Sequence, residues 1–184
     1  MTNYRKLLYP SLLVPMVAGY LMISHITKAA TAPIGDSEEI ANLLSQAKSE
    51  AIALRDDADD MATYTRSGLS WASFAGKVTE IKEHVNAAGK LLAKLEQARA
   101  TGSLWQQEAI DHITPVLKEL AAATESTIDH LNNNKTLVHT RDFKDHCSVN
   151  YDLSKQLAAL VGDFVGYGET KAKFAELQRR IEVH

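Results

Sequence analysis

The sequence predicts an all-α fold: an up-down-up-down antiparallel four-helix bundle over residues 33–184, behind an N-terminal export signal or anchor over residues 1–32. Three observations predict it. Apolar residues recur at alternating spacings of three and four along four long stretches, the period of a helix with one buried face. Gly68 and Gly102, each followed by a serine fit to cap a helix, and the polar run NNNKTLVH (132–139) divide those stretches. No run of any length alternates with period two, and no Asn-Gly or Asp-Gly pair signals a hairpin.

The leader comes first. MTNYRK carries Arg5 and Lys6, and LLYPSLLVPMVAGYLMI (7–23) then runs 17 residues without a charge before the small residues of KAATA. A basic start, an apolar stretch and small residues form an export signal. The run is shorter than the ~20 residues of a spanning helix and is interrupted by Pro10, Pro15 and Gly19. It is longer than a usual signal, so a cleaved signal and a retained anchor are both carried forward. Either places the remainder outside the cytoplasm, in the periplasm or cell envelope. Contact with a membrane is expected only through residues 7–23, if they are retained.

The first helix is expected from Asp36 to Gly68, with Asp36 and Glu39 as a capping box and a seam of Ile40, Leu44, Ala47, Ala51, Leu54, Ala58 and Met61. The second starts at Ser70 with Trp71, Phe74, Val78, Ile81, Val85, Ala88, Leu92 and Leu95. The third starts at Ser103, with Gln106 at the box position, and continues through Ile110, Ile113, Leu117, Leu120, Thr124 and Leu131. Pro115 falls opposite that seam, where water can satisfy the carbonyl it frees, so a kink is expected and not a break. The fourth runs from Thr140 to Glu182 through Leu153, Leu157, Leu160, Phe164, Tyr167, Phe174 and Ile181, with Ala158, Gly162 and Gly166 as a row for close helix approach. The first two connections are too short for crossovers, which makes successive helices antiparallel neighbours.

Charge and cysteine narrow the function classes. Three of the 20 basic residues and none of the 23 acids lie in the leader, leaving the remainder at a net charge of −6. A nucleic-acid binder needs a basic face for phosphates, so that class is set aside. One cysteine, Cys147, forms no internal disulfide, and stability must come from packing.

Three stretches carry candidate chemistry: EIKEH (80–84), EAIDH (108–112) and DFKDHC (142–147), each with acids one and four residues before a histidine. The spacing of four is not the Glu-x-x-His of di-iron bundles, and carboxylate–histidine pairs on a wet helix surface are expected. His146 alone falls on a core position, near the layer of Met61, Phe74 and Ile128. A core histidine facing a core methionine is similar to the ligation of b-type bundle cytochromes, which makes Met61 and His146 the candidate haem or metal ligands, although no C-x-x-C-H offers covalent haem attachment. With no cofactor as the expectation, His146 and Phe143 simply face the core, with Cys147 alongside and partly shielded. The acids Asp56, Asp57, Asp59 and Asp60 crowd toward the C-terminal half of the first helix, where the dipole disfavours them, and mark a candidate partner-binding surface. Tyr64, Trp71, Phe143 and Tyr151 gather at one end, where a small-ligand pocket is expected.

The whole region after the leader loosely resembles exported four-helix-bundle proteins of unknown function, chiefly through WQQEAIDHITPVLKELAAATESTIDHLNNN (105–134). The resemblance implies the fold and the compartment and assigns no residue a role. The expectation is a non-enzymatic module of the cell envelope that binds an unknown protein or small ligand. Mass spectrometry of the envelope protein should find an N-terminus near Ala30 or Pro33. An intact Met1 in a detergent-requiring fraction would establish the anchor instead, and an intact cytosolic chain would sink both.

Overall fold

A computed structural model of the chain describes residues 35–183; the leader lies outside the described residues. Four helices make up nearly all of it: α1 (Glu38–Tyr64), α2 (Trp71–Ala98), α3 (Leu104–Asn133) and α4 (Arg141–Glu182). A single 3-10 turn, Arg99–Thr101, follows α2, and no strand occurs among the described residues. Each helix packs on its neighbours in sequence, and α4 packs on α1. None of the described helices is long and apolar enough to cross a membrane.

The predicted seams of the first three helices are the buried ones. Ile40, Leu44, Ala47, Ala51, Leu54, Ala58 and Met61 are all buried on α1, as are Phe74 through Leu95 on α2 and Ile110 through Leu131 on α3. Trp71 is half-buried at the edge and donates its indole N–H to the Leu131 carbonyl (2.8 Å). α3 runs unbroken through the exposed Pro115. Ser103 and Gln106 form the expected capping box. At the start of α1 the cap moves by one residue: Ser37, not Asp36, accepts from the Ile40 N–H (3.4 Å).

Asp36 is used elsewhere. It accepts from the Trp105 indole (2.8 Å) and the Lys171 ammonium (2.7 Å). Burial works against its charge, but hydrogen bonds from Lys171, Ser103 and Trp105 outweigh it and hold the carboxyl below its ordinary range. Beside it the fully buried Gln106 accepts from the Ser37 N–H and donates to the Ser37 carbonyl, both at 2.8 Å. The chain entering α1 is thereby strapped to the starts of α3 and of the last stretch of α4.

α4 departs from its predicted seam at two places. Its buried residues are Phe143, Cys147, Asn150, Leu153, Ser154, Leu157, Ala158, Val161 and Val165. His146 is therefore half-buried beside the core, and Cys147 is fully enclosed. Further on, Leu160 and Phe164 are only half-buried, and every residue from Glu169 to Val183 is exposed. With 42 residues against 27 to 30 in the other helices, α4 outruns the bundle. Gly162 and Gly166 do not serve close approach, because a Cβ at either would meet nothing within 4 Å. The glycine that does is Gly168, where a Cβ would lie 2.8 Å from the Trp105 ring.

The rotation of α4 is set by a buried polar layer. Asn150, 1% exposed, presents Oδ1 to the Thr124 hydroxyl (2.8 Å), while its Nδ2 faces Thr127 Oγ1 (2.7 Å), the His146 carbonyl (3.0 Å) and the Ala123 carbonyl (3.4 Å). Both threonines also reach carbonyls of their own helix, at Leu120 and Ala123, so losing Asn150 orphans neither hydroxyl. Asn150→Ala should therefore cost only about 1–3 kcal/mol in urea unfolding. Asn150→Asp should cost more, ~3 kcal/mol or above, since it points a carboxylate at acceptors in a buried layer. Equal losses from the two would mean that the amide's direction is immaterial.

Candidate functional site

The structure gathers His130 of α3 and His146 of α4 at the end where α4 begins. Thr140 caps α4, accepting from the Phe143 N–H (3.5 Å), and the first turns that follow carry Asp142, Asp145 and His146. These three, with Ala123, Ser126 and Val149, line a groove of about 430 Å³ between the two helices. Behind His146 lies His130, ring centroids 4.9 Å apart, and His130 is stacked on Phe143 at 5.8 Å. The His130 Nε2 is buried and has no hydrogen-bond partner, the one such side-chain atom among the described residues. Sequence reasoning passed over His130, because its preceding residues lack the acid at the fourth position. Its place between the seam residues Thr127 and Leu131 was the signal available.

Met61, proposed from sequence as the partner of His146, is fully buried in the α1 seam. The ring that the structure sets against His146 is His130 of α3, and its other surroundings are the groove residues of α3 and α4. The core positions of that turn go to Phe143 and Cys147 because Asn150 turns α4 by that amount. Phe143 meets Phe74 edge to face at 4.9 Å, and Tyr64 and His139 close around Phe74 at 6.4 and 6.5 Å. The aromatic end expected from sequence is thus packed, with Tyr151 outside it under Lys155.

The acidic stretch of α1 is largely matched across to α2. Lys77, its side chain 14% exposed, holds Asp57 at 3.1 Å, Asp60 at 3.4 Å and Glu80 at 2.6 Å. The Glu80 carboxylate, helped by Asp57 and Asp60, raises the Lys77 ammonium well above the ordinary lysine range against the burial that opposes it. His84 lies beside them, Nδ1 2.8 Å from Glu50 and Nε2 3.5 Å from Asp57. A neutral ring can donate to only one of these carboxylates and a protonated ring to both. The carboxylates that hold His84 therefore come from α1, not from Glu80 one turn before it. Asp56 pairs with Arg55 at the surface (2.7 Å), and Asp59 is exposed. His112 is also at the surface, stacked on Phe164 at 6.1 Å.

Cys147 is shut away from chemistry. Burial pushes its thiol up from 9.0 to about 12, and the thiolate, which is the nucleophilic form, is disfavoured at any physiological pH. The consequence for stability has a definite sign. Above about pH 9 the unfolded thiol releases its proton while the folded thiol keeps it, so the unfolded state gains and stability falls between pH 9 and the folded value of about 12. Urea unfolding at pH 8 and pH 10.5 should show a larger loss for the wild type than for Cys147→Ala, and a thiol reagent at pH 8 should react only on unfolding. Rapid labelling of the folded protein would contradict the enclosed position.

Comparisons with family models, with curated proteins and with solved structures find no match to this chain.

Proposed function

We propose that the chain is an exported up-down-up-down bundle of the cell envelope that binds a small ligand or partner and does not catalyse, with the groove at His146 and His130 as its site. The observation that carries this reading is the buried, unpartnered His130 Nε2 directly behind a groove wall. Buried polar atoms are nearly always paired, and one that is not stands out as a place for an added hydrogen-bonding group. Asp142, Asp145 and Ser126 give the groove an acceptor-rich lining, which suits a small donor-rich or cationic ligand. The order of cross-helix contacts supports the topology: on α1 and α2, Asp57 meets Lys77 and Glu50 meets His84, so one number falls as the other rises. The acidic surface of Asp56, Asp57, Asp59 and Asp60 supports a partner site less well, since Lys77 and Arg55 already engage three of the four.

A haem- or metal-binding role is the second reading. Its support is the pair of imidazoles at 4.9 Å, and Met61 adds little to it from the α1 seam. One titration separates the two. The purified chain is titrated with spermidine, haem and zinc, and binding is followed by calorimetry. The leading reading expects spermidine binding that His130→Ala and His146→Ala each weaken by at least about tenfold, ~1.4 kcal/mol, and that Met61→Ala leaves alone. Tight haem or zinc binding that is abolished by His146→Ala together with either His130→Ala or Met61→Ala would install the second reading in its place.

A further inference from the structure

Exposed large apolar side chains are concentrated at one end of this bundle. Ile52, Leu137 and Val149 stand singly elsewhere, but Leu104, Tyr167, Phe174, Leu177, Ile181 and Val183 lie on the first residue of α3 or on and just past the last part of α4. The Trp105–Tyr167 contact at 5.4 Å and the Asp36–Lys171 ion pair bring the start of α3, the entry to α1 and the base of the α4 overhang together. Phe174, Leu177 and Ile181 follow at spacings of three and four, which sets them on one face of a helix that no other described element covers. Scattered exposed leucines need no explanation, but a contiguous stripe does.

We infer that this overhang is a foot that lies in the headgroup region of an anionic membrane. Two features point to lipid as the occupant. Lys171, Lys173 and Arg180 lie within three or four residues of the stripe and so border it, and residues 171–183 carry four basic side chains against two acids in a chain that is acidic overall. An apolar stripe edged by long basic side chains is the pattern of a helix seated at a membrane interface, the stems following the apolar face and the charges reaching the phosphates. The apolar run 7–23 is close to this end in sequence. Only 12 residues, Ser24–Gly35, join it to Asp36, whose carboxylate is bound to Lys171. Twelve residues span at most ~40 Å, which is the longest tether that can separate Asp36 from that apolar run. This inference rests on the envelope location proposed above and is independent of the histidine groove.

The test is hydrogen exchange of the full chain, read separately in 171–183 and in the packed helices, with vesicles rich in phosphatidylglycerol, with vesicles of phosphatidylcholine, and without lipid. An overhang without tertiary cover exchanges rapidly. Phosphatidylglycerol vesicles should slow it by roughly tenfold, phosphatidylcholine should not, and the packed helices should be unchanged. Phe174→Glu combined with Ile181→Glu should remove the protection, and Lys173→Glu should weaken it; all three positions are exposed, so the fold is retained. Slow exchange already present without lipid would overturn the inference, concentration dependence then marking a second copy as the occupant and its absence marking residues 1–34. No slowing on phosphatidylglycerol, or equal slowing on both lipids, would overturn it too. None of these results touches spermidine binding at the groove, so the failure of one reading is distinguishable from that of the other.

Discussion

The amide of Asn150 fixes how α4 is turned, and most of what is distinctive in the bundle follows from that angle. Its oxygen accepts a hydrogen bond from the Thr124 hydroxyl, and its nitrogen faces the carbonyls of Ala123 and His146 and the Thr127 hydroxyl oxygen. An apolar seam alone fixes that angle only loosely, because Leu153, Leu157 and Leu160 share one broad arc of the helix and stay in or beside the core over a modest turn. A buried amide fixes it closely, since any rotation would leave it unpaired in a low-dielectric layer. With Asn150 inward, the positions three and seven residues before it, Cys147 and Phe143, are inward too, and His146 is carried to the edge beside His130. The groove is thus a consequence of the core.

The same economy of polar groups holds α1 to α2. A chain with one thiol has no covalent staple, and its apolar seams alone do not choose between neighbouring registers of two long helices. Lys77 against Asp57, Asp60 and Glu80, with His84 between Glu50 and Asp57, makes one register electrostatically distinct along about two turns. Exposed ion pairs contribute little, but Lys77 and Asp57 are mostly enclosed, and a network loses more than a pair when one member is removed. Asp57 and Asp60, which looked misplaced near the end of α1 when read against the helix dipole, are placed for α2.

Much of this was legible in the sequence, and the failures share one cause. The seams of α1, α2 and α3, the Ser103–Gln106 box, the Thr140 cap and the tolerated Pro115 all follow from local rules of spacing and capping. What local rules miss is a residue whose partner is distant. Asp36 reads as a cap until Trp105 and Lys171 claim it, and Asn150 has no place in the predicted seam until Thr124 and Thr127 are seen opposite. The end of the core on α4 was also hidden. Tyr167, Phe174 and Ile181 keep the heptad rhythm past Val165, and nothing local says that the other three helices have stopped.

That continuation bears on why the overhang is helical at all. A dozen isolated residues rarely hold a helix in water, since nucleation is costly and few hydrogen bonds follow it. Here the nucleus already exists in the packed part of α4, and each further residue needs only propagation. KAKFAELQRRIE supplies strong helix formers, a Glu176–Arg180 pair one turn apart (2.5 Å) and two arginines in the last turn to meet the carbonyl end of the dipole. These features sustain the helix without any tertiary partner. Phe174 and Ile181 add little to that, because aromatic and β-branched residues are weaker helix formers than alanine, and Leu177 does not need an exposed apolar surface to be helical; all three remain in water. Their presence on one face is therefore unexplained by the helix or by the bundle, and burial against something outside this fold is the physical role left to them.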